Sequence, residues 1–580
     1  MESNREPGSP QQRRVVIVGG GMAGTRLAQQ LVVSAGVGAG PVALDVTIIG
    51  EEPHPAYNRV LLAEVLAGRY APEVIALPAP PRPAPGAGAG VRRLSGVRVV
   101  RVDRPTAEVL CDDGRRVPYD ALVLATGSNP VLPPLRGLFE PDGRGPHALP
   151  EGVHAFRTME DCLALGAAVR SGTRAVVIGG GLLGVSAARA LAQRGAQVVL
   201  AHQGEHLMER QLDPGASRLL RRHMAALGVE VHTECRVRGL RTGGRPVRTV
   251  QAVELADGYA LKTDLVVLAC GVRPRVGLAR AAGVEVARGI VVDDELRTSD
   301  PWVFAIGDCA EHDGVVYGLA GPAQEQADVL AQLLSPTPPL PETRALRPLD
   351  PHQGRAPEPD QGSAPEPHQG TTPGPHRVTA PGPHQGTAPE PHQGTTPGPH
   401  RVTTPGPHQG TAPEPREGAG PDPHPGSAPD PAPGDQVVGN RPAEGAPPSG
   451  SWGRDGWAQP GHRAAPGNET APRYHGTRTL TRLTLTAAPG SAGASASGTD
   501  GPLDLAAFGN PTPAAGDDVI HLTDATRNTY RKVVVRGDRL LGGILLGDLG
   551  TVGALARAWE GDEPLPATPL LHLLTNDGGS

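Results

Sequence analysis

Val15-Val16-Ile17-Val18 is an unbroken β-branched run. Such a run predicts a strand apolar on both faces, as in a parallel sheet covered by helices. Leu27, Ala28 and Leu31 then recur at helical spacing, and Val46-Thr47-Ile48-Ile49 returns to strand character. The same order repeats about 160 residues later: Ala175-Val176-Val177-Ile178, then Ala187, Ala190 and Leu191, then Val198-Val199-Leu200. Two strand–helix–strand units predict two α/β layers with parallel sheets. Towards the C-terminus, Tyr530 to Val535 and Leu540 to Leu546 flank Gly537-Asp538, and a helical pattern follows from Val552 to Trp559. That reads as a hairpin and a helix in a small α+β domain.

Each first strand runs straight into a glycine motif. Gly19-Gly20-Gly21-Met22-Ala23-Gly24 and Gly179-Gly180-Gly181-Leu182-Leu183-Gly184 both fit GxGxxG. In such a motif the first glycine makes a tight turn, here Gly19 and Gly179. The second, Gly21 and Gly181, lets a pyrophosphate approach the backbone at a helix N-terminus. The third, Gly24 and Gly184, lets helix and strand pack closely. Glu51, just past the second strand, is placed to accept ribose hydroxyls. It lies 27 residues after Gly24, and the Gly-rich stretch Ala35 to Gly40 accounts for the excess. The second unit ends in Ala201-His202-Gln203-Gly204, with no acid for a 2′-hydroxyl and no Arg for a 2′-phosphate, so NADH and NADPH both remain open. A lone motif in a Gly-rich chain is weak. Two in full strand–helix–strand context imply two dinucleotide sites.

Composition changes this picture in one region. The 580 residues include 79 Gly and 65 Pro, with 3% aromatics. Residues 351–430 form ten consecutive eight-residue units of the PHQGTAPE kind and hold 34 of those Gly and Pro. They carry too little apolar surface to offset about 1–2 kcal/mol of backbone entropy per residue. We expect a disordered spacer over 335–472 and a disordered N-terminus over 1–12. The eight histidines of the repeat, spaced eight apart or wider on a flexible chain, make no preformed metal site, and no metal is expected elsewhere.

The net charge of −6 marks no nucleic-acid or membrane-surface binder. No stretch of about 18 apolar residues suggests a span. Met1 to Arg14 lacks the apolar core of a secretory signal. The five cysteines are scattered without CxxC, which fits a reducing, cytoplasmic setting.

Further motifs resemble the two-dinucleotide-fold flavoprotein reductases. Ala125-Thr126-Gly127, after Tyr119 to Leu124, is similar to the strand passing beneath FAD in that family. Gly307-Asp308, in Phe304 to Cys309, resembles its second FAD motif, where the acid bonds the ribityl chain. Gly271, in Ala269 to Pro274, resembles the glycine closing the nicotinamide domain. Glu51 to Arg59, Leu207 to Asp213, and Gly307 to Gly318 look most like the N-terminal part of NADH-dependent nitrite reductase large subunits and of assimilatory nitrate reductase electron-transfer subunits. The resemblance implies an FAD domain over 13–145 and 272–334, an NAD(P) domain over 146–271, and a third domain over 473–575. It makes Arg59 a candidate FAD contact. It implies FAD and NADH or NADPH as cofactors, with hydride passing from nicotinamide to flavin. Single electrons then go to an iron–sulfur or haem acceptor protein, foremost a nitrate or nitrite reductase subunit. A homodimer is compatible with the third domain.

Departures shape the expected chemistry. Residues 51–70 hold no cysteine, so the thiol chemistries of this fold are not expected. Ferredoxin-reductase relatives place a Lys where this chain has Glu64, and many carry Glu where it has Ser186. No acid–base residue is therefore identified. The metal-binding cysteine clusters of nitrite reductase are missing, so the chain alone would not reduce nitrite. The alternatives are a rubredoxin or ferredoxin reductase outside nitrogen metabolism, and a low-turnover FAD/NADH-binding sensor or scaffold.

Overall fold

The computed structural model describes residues 11–37, 42–80, 89–139, 148–244, 247–335, 472–485, 502–524, 526–561, 564–565 and 574. The repeat tract 351–430 lies outside the described residues, as does the expected spacer apart from its end positions 335 and 472. Residues 1–10 also lie outside. Gln11 and Gln12, expected within a disordered start, instead open the first strand and pair with Val42 and Ala43. The ladder extends there because a parallel partner strand is available.

Eight helices are described: α1 Met22–Val37, α2 Leu62–Leu66, α3 Met159–Ala168, α4 Leu182–Gln193, α5 Pro214–Ala226, α6 Gly277–Ala281, α7 Ala320–Leu334 and α8 Val552–Glu560. The first parallel sheet runs Val303–Ala305, Ala121–Leu124, Gln11–Val18, Val42–Gly50, Ala89–Ser95. Val15, Ile17, Val46, Ile48, Leu122 and Val123 on it are fully buried, as both-face coverage demands. The second parallel sheet runs Val229–His232, Gln197–Ala201, Arg174–Ile178, Leu265–Leu268, Val153–Ala155. The central strand of each sheet is the one that enters a glycine motif.

The chain passes between these units along two short strands, Ser128–Pro130 and Val272–Pro274, which pair antiparallel. Two antiparallel ribbons flank the sheets, Val99 to Pro118 and Val237 to Lys262. Sequence patterning gave neither, because their strands are short and half exposed.

The C-terminal domain is a five-stranded antiparallel sheet in the order Leu480–Leu485, Leu503–Gly509, Arg539–Leu546, Thr529–Arg536, Asp518–Asp524. The hairpin at Gly537 (φ +61°) and the helix α8 are where the sequence put them. One face of the sheet packs on α8 through Phe508, Val533, Leu555 and Trp559. The other face joins the core of the second dinucleotide unit, with Leu485, Leu505, Tyr530 and Ile544 packed among residues such as Leu219 and Leu220. At that junction Asp213 accepts from Tyr530 Oη (2.6 Å) and Lys532 Nζ (2.9 Å). The same carboxylate caps α5 through the Ala216 N–H (2.9 Å). Among the described residues no helix is long and apolar enough to cross a membrane.

Candidate functional site

Both glycine motifs open into one continuous cleft of about 1950 Å³. Single-ligand pockets usually enclose roughly 300–1,000 Å³, so this cleft has room for two extended cofactors. Gly19, Gly20 and Gly21 line one end and Gly179, Gly180 and Gly181 another.

The glycines divide their labour as the motif chemistry requires. Gly19 sits at φ +125°, and a Cβ there would fall 2.0 Å from the Ala125 carbonyl oxygen. A Cβ at Gly24 would fall 2.1 Å from Gly19 O, and one at Gly184 would fall 1.8 Å from Gly179 O. These positions are closed by packing. At Gly21 and Gly181 a Cβ would meet no atom within 4 Å, because both face the cleft at the start of a helix. That open space beside α1 and α4 is the cradle a pyrophosphate needs, so the residues present fit two dinucleotides.

The expected FAD-side residues converge on the first end. Glu51, Arg59, Thr126, Gly127, Gly307 and Asp308 all line the cleft. Thr126 Oγ1 donates to Arg275 O (2.8 Å), and the Gly307 N–H donates to Gln326 Oε1 (2.7 Å). Arg59 donates to Glu52 (2.7 Å) and to the Arg157 carbonyl (2.6 Å), and its guanidinium lies 4.9 Å from the Tyr57 ring centre. Burial opposes ionisation of Glu52, but Arg59 and the Tyr57 hydroxyl outweigh it and hold its pKa below the ordinary value. Gly271 (φ +97°) also lines the cleft. The cleft is also bordered by Leu319, Ala320 and Ala323 at the start of α7, so a helix N-terminus faces it. Glu325 is not part of that lining; its carboxylate accepts from Thr477 Oγ1 (2.6 Å).

Three arginines at the cleft or behind it were not singled out by sequence. Arg157 follows the edge strand Val153–Ala155 of the second sheet and donates to Asp308 and to Ser128 Oγ (2.7 Å). Arg275 donates to Glu51 and Asn129. Arg189, 1% exposed on α4, donates to Glu64 on α2, and Arg69 contacts the other Glu64 oxygen at 2.7 Å. No motif spacing links Arg157, Arg189 and Arg275 to the acids Asp308, Glu64 and Glu51, which lie 125 to 224 residues away. Glu64 is therefore a packing acid behind the cleft. Ser186, which does line it, donates its hydroxyl to Leu182 O (2.8 Å).

No disulfide forms; the cysteines are free. Cys235 and Cys270 border the cleft, and burial pushes the Cys270 thiol up to about 11. A thiol so disfavoured as thiolate is a poor nucleophile. Cys309 is fully buried against the carbonyls of Leu124 and Ile306, a small core residue.

Comparison with known proteins agrees with this geometry. Residues 13–327 match the family described as pyridine nucleotide-disulphide oxidoreductase, and residues 502–560 match the rubredoxin NAD+ reductase C-terminal domain. The chain is 36% identical over 326 residues to the assimilatory nitrate reductase electron transfer subunit of Bacillus subtilis, covering 56% of this chain and 39% of that protein. It is 38% identical over 323 residues to a nitrite reductase [NAD(P)H] of the same organism, covering 55% and 37%. The chain thus spans under two fifths of the length of these two relatives. It is 33% identical to putidaredoxin reductase of Pseudomonas putida over 52% of this chain and 68% of that one. The crystal structure of a covalent putidaredoxin reductase–putidaredoxin complex superposes with a TM-score of 0.61 at 20% identity, over 97% of this chain and 98% of the other, which shows the shared fold. Enzymes of this group are NAD(P)H-dependent flavin oxidoreductases, and the motifs for both cofactors, FAD and NAD(P)H, border the cleft. With its paired parallel sheets, its two open glycine cradles and a sequence match over more than half its length, the chain belongs to the pyridine nucleotide-disulphide oxidoreductase family.

Proposed function

We propose that this chain is the flavin-bearing reductase of a multi-component electron-transfer system, oxidising NAD(P)H and delivering electrons to a separate iron–sulfur or haem protein. The observation that carries the reading is the single cleft joining both glycine cradles. Bound FAD would supply the hydride acceptor and the one-electron donor. The protein's part is positioning. Gly21 and Gly181 leave room for the two pyrophosphates, and Glu51 and Asp308 offer acceptors to ribose and ribityl hydroxyls. Arg59 and Arg157 hold that end together. The start of α7 favours negative charge on a ligand beside it. Hydride transfer needs alignment rather than a proton shuttle, which accords with Ser186 and an occupied Glu64 where relatives carry an ion pair.

For the acceptor we favour a nitrate or nitrite reductase component, supported by the two Bacillus subtilis relatives. The C-terminal match and the putidaredoxin reductase likeness favour a second reading, a rubredoxin or ferredoxin reductase. Reconstitution separates them. The purified chain, FAD and NAD(P)H should reduce the nitrate- or nitrite-reductase component encoded in the same cell faster than its rubredoxins and ferredoxins. The reverse order favours the second reading, and transfer to neither contradicts both.

A further inference from the structure

The two glycine cradles can be compared residue by residue, because their backbones hydrogen-bond alike. Gly19 N–H donates to Ile49 O (2.8 Å), and Gly179 N–H donates to Ala201 O (2.9 Å). Ala201 thus takes the place of Ile49, and Gln203 takes the place of Glu51. At the first cradle that place holds a carboxylate, the acceptor suited to a ribose 2′-hydroxyl. At the second it holds a neutral amide that can donate.

Arginines border the cleft near Gln203, together with Glu209. His202 accepts from the Gly180 N–H through Nδ1 (3.1 Å), so its Nε2 carries the proton; that Nε2 is buried and finds no hydrogen-bond partner among the described residues. The Cys235 N–H donates to His202 O (2.8 Å), which brings the neighbouring Arg236 alongside. The Met208 N–H donates to Gly180 O (2.9 Å), which brings in Arg210 two residues on. Arg210 and Arg236 both border the cleft, and neither has an ion pair to a described residue. The one acid bordering the cleft here is Glu209. Its Oε1 accepts from the Glu205 N–H (2.8 Å), and its Oε2 lies 4.0 Å from His202 Nε2.

We infer that the second cradle selects NADPH over NADH, with Arg210 and Arg236 as the ion-pairing groups for the 2′-phosphate and Gln203 as a hydrogen-bond donor to it. Guanidinium groups suit a phosphate dianion by charge and by their planar pairs of donors, and the carboxylate of Glu209 is engaged by the Glu205 N–H. A 2′-hydroxyl would leave two arginines without a counter-charge. This specificity rests on the reading that the second cradle takes a nicotinamide dinucleotide.

The test uses the full chain loaded with FAD. Binding of 2′,5′-ADP and of 5′-AMP is measured by calorimetry, and flavin reduction by NADPH and NADH is measured in parallel. The expected results are at least tenfold tighter binding of 2′,5′-ADP and a matching preference for NADPH. The double variant Arg210→Gln/Arg236→Gln should lose both preferences while keeping its affinity for 5′-AMP and its thermal midpoint, since both side chains are exposed. Equal binding of the two nucleotides, or tighter 5′-AMP binding that Glu209→Gln abolishes, would overturn the proposal. Selective 2′,5′-ADP binding with no flavin reduction by either dinucleotide would uphold the pocket and count against the reductase reading instead.

Discussion

Arg157 and Asp308 tie the two dinucleotide-binding units together: a guanidinium beside the edge strand of the second sheet donates to the Asp308 carboxylate in the first unit. Their side chains are 15% and 17% exposed, so this is a largely desolvated pair. Removing one partner of such a pair leaves a charge without its counter-ion, at a cost of about 3 kcal/mol. Arg157→Ala should therefore destabilise the protein by that order in chemical denaturation. A double-mutant cycle with Asp308→Ala should give a coupling of at least about 1 kcal/mol. A coupling near zero would show that the contact does not join the units.

The glycine cradle makes a sharper prediction about cofactor binding. Gly21→Ala adds a methyl group into open cleft, so the thermal midpoint should hold while flavin occupancy falls. Gly19→Ala combines φ +125° with a Cβ 2.0 Å from a carbonyl oxygen and should cost about 3 kcal/mol of stability. Flavin content and melting temperature of the two purified variants check this. If Gly21→Ala retained full flavin, the open space would not be a phosphate cradle.

Glu64 tests how far this chain departs from its ferredoxin-reductase relatives. Glu64→Lys would place a third cation beside Arg189, which is 1% exposed, and Arg69. We expect a loss of about 3–5 kcal/mol or failure to fold, whereas Glu64→Gln should fold with a smaller loss. A stable Glu64→Lys variant would mean that the acid is not a packing group.

Asp213 gives the pH dependence of C-terminal domain docking. Burial raises its pKa, but the Ala216 N–H, Lys532 and Tyr530 lower it further, and the balance lies below the ordinary value. A depressed folded-state pKa adds stability that is present above the unfolded value, about 3.9. That stability is lost as pH falls through the lower folded value. Limited proteolysis should thus release the C-terminal domain more readily as pH falls below about 4. Asp213→Asn, which keeps a capping side chain, should show weak docking at every pH. An Asp213→Asn variant with wild-type acid sensitivity would assign the effect to other groups.

Much of this architecture is legible in the sequence, and the reason is local. Gly19, Gly24 and their counterparts Gly179 and Gly184 act through backbone geometry within one strand–turn–helix unit, so spacing alone reveals them. Glu51 and Gly307-Asp308 are likewise carried by short segments. Arg157, Arg189 and Arg275 were not legible, because their meaning lies in partners more than 100 residues away. An arginine looks the same in sequence whether it is solvated or holds a cleft together. The flanking ribbons escaped for another reason: strands such as Arg116–Pro118 and Ala260–Lys262 are too short to show a period.

The described residues on either side of the repeat tract, Ser335 and Tyr474, both pack on the same unit. Ser335 Oγ donates to Ala331 O at the end of α7 (2.7 Å), and the Tyr474 N–H donates to Asp294 O (2.7 Å). Tyr474 itself is fully buried, edge-on to His312 at 4.9 Å. Replacing residues 340–470 by a short Gly/Ser linker should therefore leave flavin content and NAD(P)H-driven flavin reduction intact. Loss of FAD binding in that variant would make the tract structural.

The central claim is that this cleft carries hydride from a nicotinamide to a flavin. Anaerobic stopped-flow mixing of the FAD-loaded protein with NADPH, and separately with NADH, tests it most directly. Rapid bleaching of the oxidised flavin band with at least one of them is the predicted result. A flavin that stays bound and oxidised in the presence of both would contradict it.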